Sequence, residues 1–187
     1  MKLAEETGRA LRGVSFDCAF TSPLIRARHT AEALLRESGN DCPIYTDDRI
    51  KEISIGDYEG RPYRSASGDG TKTLMQSYFS DPFSSPPFPH GEHVNDVIGR
   101  TQAFLKELAG KDYGTVLVST HGCAMRCMLN FLYDDPSDFW HGHVPLNCAV
   151  NIVDVTNGVI RLEKEDVIFY DPAMGVDRYS EIRGKKG

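Results

Sequence analysis

Residues 114–126, Gly-Thr-Val-Leu-Val-Ser-Thr-His-Gly-Cys-Ala-Met-Arg, deliver a histidine and a glycine at the point where an apolar run gives way to helical spacing. Thr115 to Val118 show no polar alternation, the pattern of a strand covered on both faces of a parallel sheet, and Cys123 to Tyr133 carry apolar residues at helical intervals. His121 therefore stands at a strand's carboxyl end and ahead of a helix N-terminus, where backbone N–H groups attract anions. Protonated, its imidazole adds a donor, and Gly122 lets a bulky anion come close to the backbone. The chemistry suggested is oxyanion binding. The plain alternative is a histidine that merely caps a helix, and His121 needs partners to be more than that. Cys123 and Cys127, with His141-Gly142-His143, also permit a metal site, although neither spacing is a usual zinc pattern.

The elements that must hold such partners follow in chain order. An amphipathic helix over Lys2 to Leu11 precedes a strand over Val14 to Phe20. A second helix begins with Ser22 as N-cap and Pro23 at its first position, carries Arg26 in its first turn, and runs to about Glu37. Pro43 to Tyr45 are extended, and Asp48 to Gly60 form a loop with Glu52 among its carboxylates, a mixture that often faces a site. From Arg61 to His90 the composition turns to Gly, Ser, Pro and aromatics, which reads as a lid or covering segment and not as core. Glu92 to Ala109 is a long amphipathic helix. After the His121 segment come a short capped helix over Asp135 to Trp140 and two strands, Ala149 to Val155 and Val159 to Ile168, around a Thr156-Asn157-Gly158 turn. The tail from Asp171 is polar and loosely held.

Composition narrows the partners. With 187 residues, 40% hydrophobic and 26% charged, the chain fits one domain over 1–187. A net charge of −6 argues against nucleic acid or an anionic membrane as the main partner. Five cysteines at irregular intervals read as reduced thiols and place the chain in the cytoplasm. The N-terminus is acidic rather than signal-like, no apolar run spans a membrane, and no glycine-rich nucleotide loop is present, so no cofactor is expected.

Ser22-Pro23-Leu24, Arg26-Ala27, Thr30-Ala31-Glu32, Glu52 with Gly56 and Glu59-Gly60, Pro89-His90-Gly91-Glu92, and Val118-Ser119-Thr120-His121-Gly122 with Arg126 occur in that order. Together they resemble the histidine phosphatase superfamily, the phosphoglycerate-mutase-like proteins, over nearly the whole chain. His93 stands where many relatives carry Ser. The resemblance implies a three-layer α/β/α, doubly wound, mostly parallel sheet. It also implies a pocket for a small phosphorylated metabolite in which Arg26 and His121, beside Gly122, bind the phosphoryl group. Glu52 protonates the leaving oxygen, without a metal. These residue types suit phosphoryl transfer, since an arginine fork and an imidazolium stabilise equatorial oxygens, and a carboxylic acid with a raised pKa supplies a proton. Taken singly, Arg26 in a surface ion pair, Glu52 in a solvated loop and a capping His121 remain ordinary alternatives.

The family's nucleophile is the histidine of an Arg-His-Gly motif at the end of the first central strand, and these 187 residues contain no Arg-His-Gly. Arg28-His29-Thr30 lies inside the second helix and faces away. The expectation is a phosphatase-type domain whose first central strand is missing and which lacks turnover as it stands, with the exposed sheet edge open to homo-oligomer formation. A non-catalytic phosphate-binding or scaffold module is the alternative, and a metal-dependent hydrolase on His121, His141 and His143 a weaker one. The short stretch between the Glu52 loop and Gly91-Glu92 favours a phosphatase over a mutase.

Overall fold

The computed structural model describes residues 1–60 and 71–175. Three strands, β1 (Cys18–Thr21), β2 (Ile44–Thr46) and β3 (Val116–Ser119), form a parallel sheet in the order β2-β1-β3, with Phe20 opposite both Tyr45 and Val118. Among the described residues five helices, α1 (Lys2–Ala10), α2 (Ile25–Ser38), α3 (Thr71–Ser80), α4 (Val94–Ala109) and α5 (Gly122–Leu129), accompany it. Strands β4 (Val150–Thr156) and β5 (Val159–Val167) make a separate antiparallel hairpin. Asn157 and Gly158 turn it with φ of 53° and 77°, the left-handed pair that a tight hairpin requires.

Side-chain alternation along the strands distributes the helices to both faces of the parallel sheet. Phe20 and Val118 point to one face, where they pack on Phe104 and Leu105 of α4 and Met128 and Leu129 of α5. Val153, Ile160 and Leu162 of the hairpin close the same cluster. Ser119 points the other way, and its hydroxyl donates to the Ala27 carbonyl of α2 at 2.9 Å. Ala27, Ala31 and Ala33 are buried small residues on α2, and α1 crosses it where Gly8 has no room for a side chain against Leu34 and Glu37. The α/β/α layering matches the expected architecture.

Several boundaries differ for local reasons. The first strand covers only Cys18–Thr21 because the backbone of Val14 and Phe16 bonds to the Asn40 amide instead of a strand, at 2.9 and 3.0 Å. Helix α2 starts two residues after Pro23: Leu24 is extended at φ −68°, ψ 125°, and is the N-cap, so Ser22 is not. Asp135 to Trp140 form turns, not a helix, since Asp135 Oδ1 accepts from Ser137 N at 3.0 Å and Ser137 Oγ at 2.6 Å. Helix α5 ends at Leu129 and passes into a 3-10 turn over Asn130–Leu132. Helix α4 begins two residues later than Glu92 and is capped by His93, whose Nδ1 accepts from Asn95 N at 3.2 Å while Asp96 accepts from His93 N at 2.9 Å.

The covering segment is the larger correction. Residues 61–70 of the expected lid, Tyr63 included, lie outside the described residues, as does the tail beyond Gly175. Within the remainder, Met75, Tyr78 and Phe79 of α3 are buried with Phe88, Val94, Val97, Cys123, Phe139 and Trp140. Tyr78 meets Phe88 and Trp140 edge-on at 5.3 and 5.8 Å. The described aromatics of this stretch, Tyr78, Phe79, Phe83 and Phe88, pack into a second core cluster against the start of α5.

Candidate active site

The carboxyl ends of β1 and β3 are adjacent in register, Thr21 opposite Ser119, so the segments that follow them converge. Arg26 in the first turn of α2 and His121, the N-cap of α5, are 95 residues apart in the chain, yet Arg26 Nε donates to His121 Nδ1 at 3.2 Å. The other ring nitrogen, Nε2, lies 2.8 Å from the hydroxyl of Ser22. Ser22 is fully buried, and its Oγ also accepts from Leu24 N at 3.2 Å. His121 makes no side-chain cap on α5, so the plain capping alternative does not apply.

Glu52 reaches the same place from the loop after a 3-10 turn over Asp48–Ile50. Its Oε1 accepts from Ile53 N and Ala124 N, both at 3.0 Å, and its Oε2 accepts a longer bond from Cys123 N at 3.4 Å. The amides of Cys123 and Ala124 at the start of α5 are thus occupied by the chain's own carboxyl group. Burial pushes the Glu52 carboxyl up, against the three backbone N–H groups and the Arg26 charge, which favour its ionised form. Of the two carboxyl oxygens, Oε2 has the fewer and longer backbone contacts.

His121 behaves opposite to the imidazolium expected of it. Burial, then the positive charges of Arg26 and Arg100, push it down to about 4, so the ring is neutral at pH 7. Its contact with Arg26 agrees, because an arginine nitrogen only donates and Nδ1 must present a lone pair. A Cβ on Gly122 would project into open space.

Arg100 was not evident from the sequence. From α4 its Nη1 donates to the carbonyls of Arg49 and Lys51, each at 2.7 Å, and its Nη2 to that of Glu52 at 3.2 Å. Its Nε and Nη2 also bond Glu92, at 2.8 and 2.9 Å, and Glu92 in turn accepts from Ser54 N at 2.9 Å. The Arg100–Glu92 pair therefore clamps both sides of Glu52. Thr120 adds a bond from its hydroxyl to Ile50 O at 2.8 Å. Gly56 and Gly91 complete the join, since a Cβ on Gly56 would strike the Pro89 carbonyl and one on Gly91 the Ser54 carbonyl. No local pattern marks Arg100, whose bonds to the loop carbonyls span about fifty residues; Glu92 and the two glycines carried the motif signal.

The other histidines are engaged elsewhere or exposed. His90 pairs with Asp57 at 3.0 Å, His93 caps α4, and His141 and His143 lie 3.5 and 2.9 Å from Glu165 and Asp166. The grouping of His121 with His141 and His143 is not formed. His29 is exposed on α2, as expected. Among the described residues, no group of three or more His, Cys, Asp or Glu is placed to hold a metal, and no helix is long and apolar enough to cross a membrane.

A model of the histidine phosphatase superfamily, branch 1, matches residues 1–166. A 2,3-bisphosphoglycerate-dependent phosphoglycerate mutase of Cytophaga hutchinsonii is 30% identical over 168 residues, covering 85% of this chain and 70% of the mutase. A protein of Hydrogenobacter thermophilus named putative phosphoserine phosphatase 2 is 27% identical over 116 residues, 62% of this chain and 55% of its own length. Among solved structures, Bacillus stearothermophilus YhfR superposes with a TM-score of 0.79 at 27% identity, over 89% of this chain and 82% of its own. The chain belongs to the histidine phosphatase superfamily.

Proposed function

We propose that this member of the superfamily binds the phosphoryl group of a small phosphomonoester between Arg26 and His121, with Glu52 as the acid for the leaving oxygen. The observation that carries the reading is the meeting of the Arg26 guanidinium and the His121 ring at 3.2 Å, beside the half-buried Glu52 carboxyl group whose pKa is raised. The fork of Arg26 suits equatorial oxygens, and a protonated Oε2 on Glu52 suits an alkoxide that departs as an alcohol. The family reaction passes through a phosphohistidine, which needs an attacking histidine distinct from His121. With no Arg-His-Gly in these 187 residues, they receive and hold the phosphoryl group without turning it over. One relative is named for a mutase and another for a phosphatase; the short stretch between Gly60 and Gly91 favours the phosphatase. Five free cysteines fit a reducing cytoplasm.

Titration with inorganic phosphate followed by calorimetry tests the reading. Wild type should bind, and Arg26→Ala and His121→Ala should each weaken binding by tenfold or more. p-Nitrophenyl phosphate should not be turned over at high protein concentration; turnover lost on changing His121 would reverse the catalytic half of the proposal. Sedimentation belongs to the same reading. Strand β3 pairs with β1 on one side and with no other strand among the described residues, and that edge is the proposed contact between two copies. A concentration-independent monomer would remove it.

A further inference from the structure

The two nitrogens of His121 are held unequally, and the inequality places protons. Nδ1 accepts from Arg26 Nε, so the single proton of the neutral ring lies on Nε2 and points to the Ser22 hydroxyl at 2.8 Å. Ser22 has no exposed surface, and its oxygen is fixed from the other side by Leu24 N at 3.2 Å. An oxyanion offers only acceptors. For Nδ1 to bond to one, Arg26 must turn its Nε from the ring to the anion, and Nδ1 must gain a hydrogen. If Nε2 keeps its own proton on Ser22, the ring becomes an imidazolium and the added proton comes from solvent. A second negative charge within about 4 Å favours that form over the neutral tautomer with hydrogen on Nδ1.

We propose that Ser22 is a positioning residue for His121: by holding the Nε2 proton it makes capture of an oxyanion at Nδ1 coincide with uptake of one proton. The inference rests on the pocket being a phosphoryl site. The charges felt at the ring are those of Arg26 from α2 and Arg100 from α4; Glu52 on the neighbouring loop, which also feels Arg26, is the other titrating group. The low starting value of His121, about 4, leaves the whole range up to neutrality for the linked proton.

Sulfate is the probe, because it has the shape of phosphate and does not itself titrate near neutrality. Calorimetry at pH 7 in buffers of different ionisation enthalpy should show close to one proton taken up per sulfate bound, with affinity falling toward tenfold per pH unit as pH rises. Glu52→Gln, which removes the other titrating group, should retain the uptake. Nitrogen-15 spectra of the free proteins should show His121 with hydrogen on Nε2 alone in wild type and in Ser22→Ala, because Arg26 holds Nδ1 in both. With sulfate, wild type should show hydrogen on both ring nitrogens, whereas Ser22→Ala should show hydrogen on Nδ1 alone, take up no proton and bind about tenfold more weakly. A purely structural role for Ser22 would lower stability and leave the proton uptake unchanged. Sulfate binding by wild type without proton uptake, or full uptake in Ser22→Ala, overturns the inference and leaves the phosphoryl pocket standing. Failure of both sulfate and phosphate to bind overturns the pocket and the inference together.

Discussion

His121 couples the site to stability. Its pKa is depressed on folding, from an ordinary 6.5 to about 4, because the folded chain shelters a neutral ring beside two arginines. A group depressed in this way contributes stability that is complete above pH 6.5 and is lost as pH falls toward 4, at most about 3 kcal/mol. Glu52 has the opposite sign: raised on folding, it favours the folded chain below its ordinary range and withdraws that support as pH rises. Urea unfolding of wild type and His121→Gln at pH 7 and pH 4.5 separates them. Wild type should lose stability in acid relative to the variant; equal losses would mean the ring is not sheltered. Arg26, Glu52 and His121 were legible in the sequence because each stands in a short run whose residue types match one chemistry. Ser22 was legible only as a helix cap, since its hydroxyl's true partner is a ring 99 residues away.

The element that sets Glu52 is the loop from Asp47 to Gly60, and side chains from α4 hold it more than its own sequence does. Arg100 makes five bonds, three to loop carbonyls and two to Glu92. Glu92 is held below the usual carboxylate range by the Arg100 guanidinium and the Ser54 N–H, which prevail over its burial. Removing one partner of such a pair leaves the other stranded, so Arg100→Met should cost about 3–5 kcal/mol in unfolding free energy. The glycines of this loop and of α5 are not equivalent. Gly56, at φ 54°, abuts the backbone of the turn before Glu92, and Gly56→Ala should cost about 2–5 kcal/mol. Gly122→Ala meets open space at an ordinary φ and should cost about 1 kcal/mol or less. Similar losses in the two variants, measured by chemical denaturation, would contradict the packing of the 54–56 and 88–92 segments. The loop was readable as site-facing from its carboxylates and glycines. The burial of α3 was not, because the prolines at 82, 86, 87 and 89 that follow it give the whole stretch a loop-like composition and hide the short helical run that holds Met75, Tyr78 and Phe79.

At the scale of the molecule, the question is what ties the hairpin of β4 and β5 to the three parallel strands, since no ladder joins them among the described residues. Val153, Ile160 and Leu162 supply apolar contact, and Arg126 supplies the polar tie. Its side chain leaves α5 with no exposed surface and bonds Glu165, Asp166 at 2.7 Å and the Tyr133 hydroxyl at 3.2 Å. The flanking carboxylates and Tyr133 hold its guanidinium above the ordinary range although burial opposes this. Because the same helix begins with His121 and accommodates Glu52 at its first turn, the hairpin bears indirectly on the site. Arg126→Met should therefore cost about 3–5 kcal/mol with little dependence on salt, whereas Arg28→Ala, which breaks an exposed pair with Glu32, should cost about 0.5 kcal/mol or less and vanish in high salt. Denaturation of both variants at low and high ionic strength checks the contrast. If Arg126→Met unfolds no more easily than Arg28→Ala, the hairpin is held by its apolar face alone and α5 is free of it.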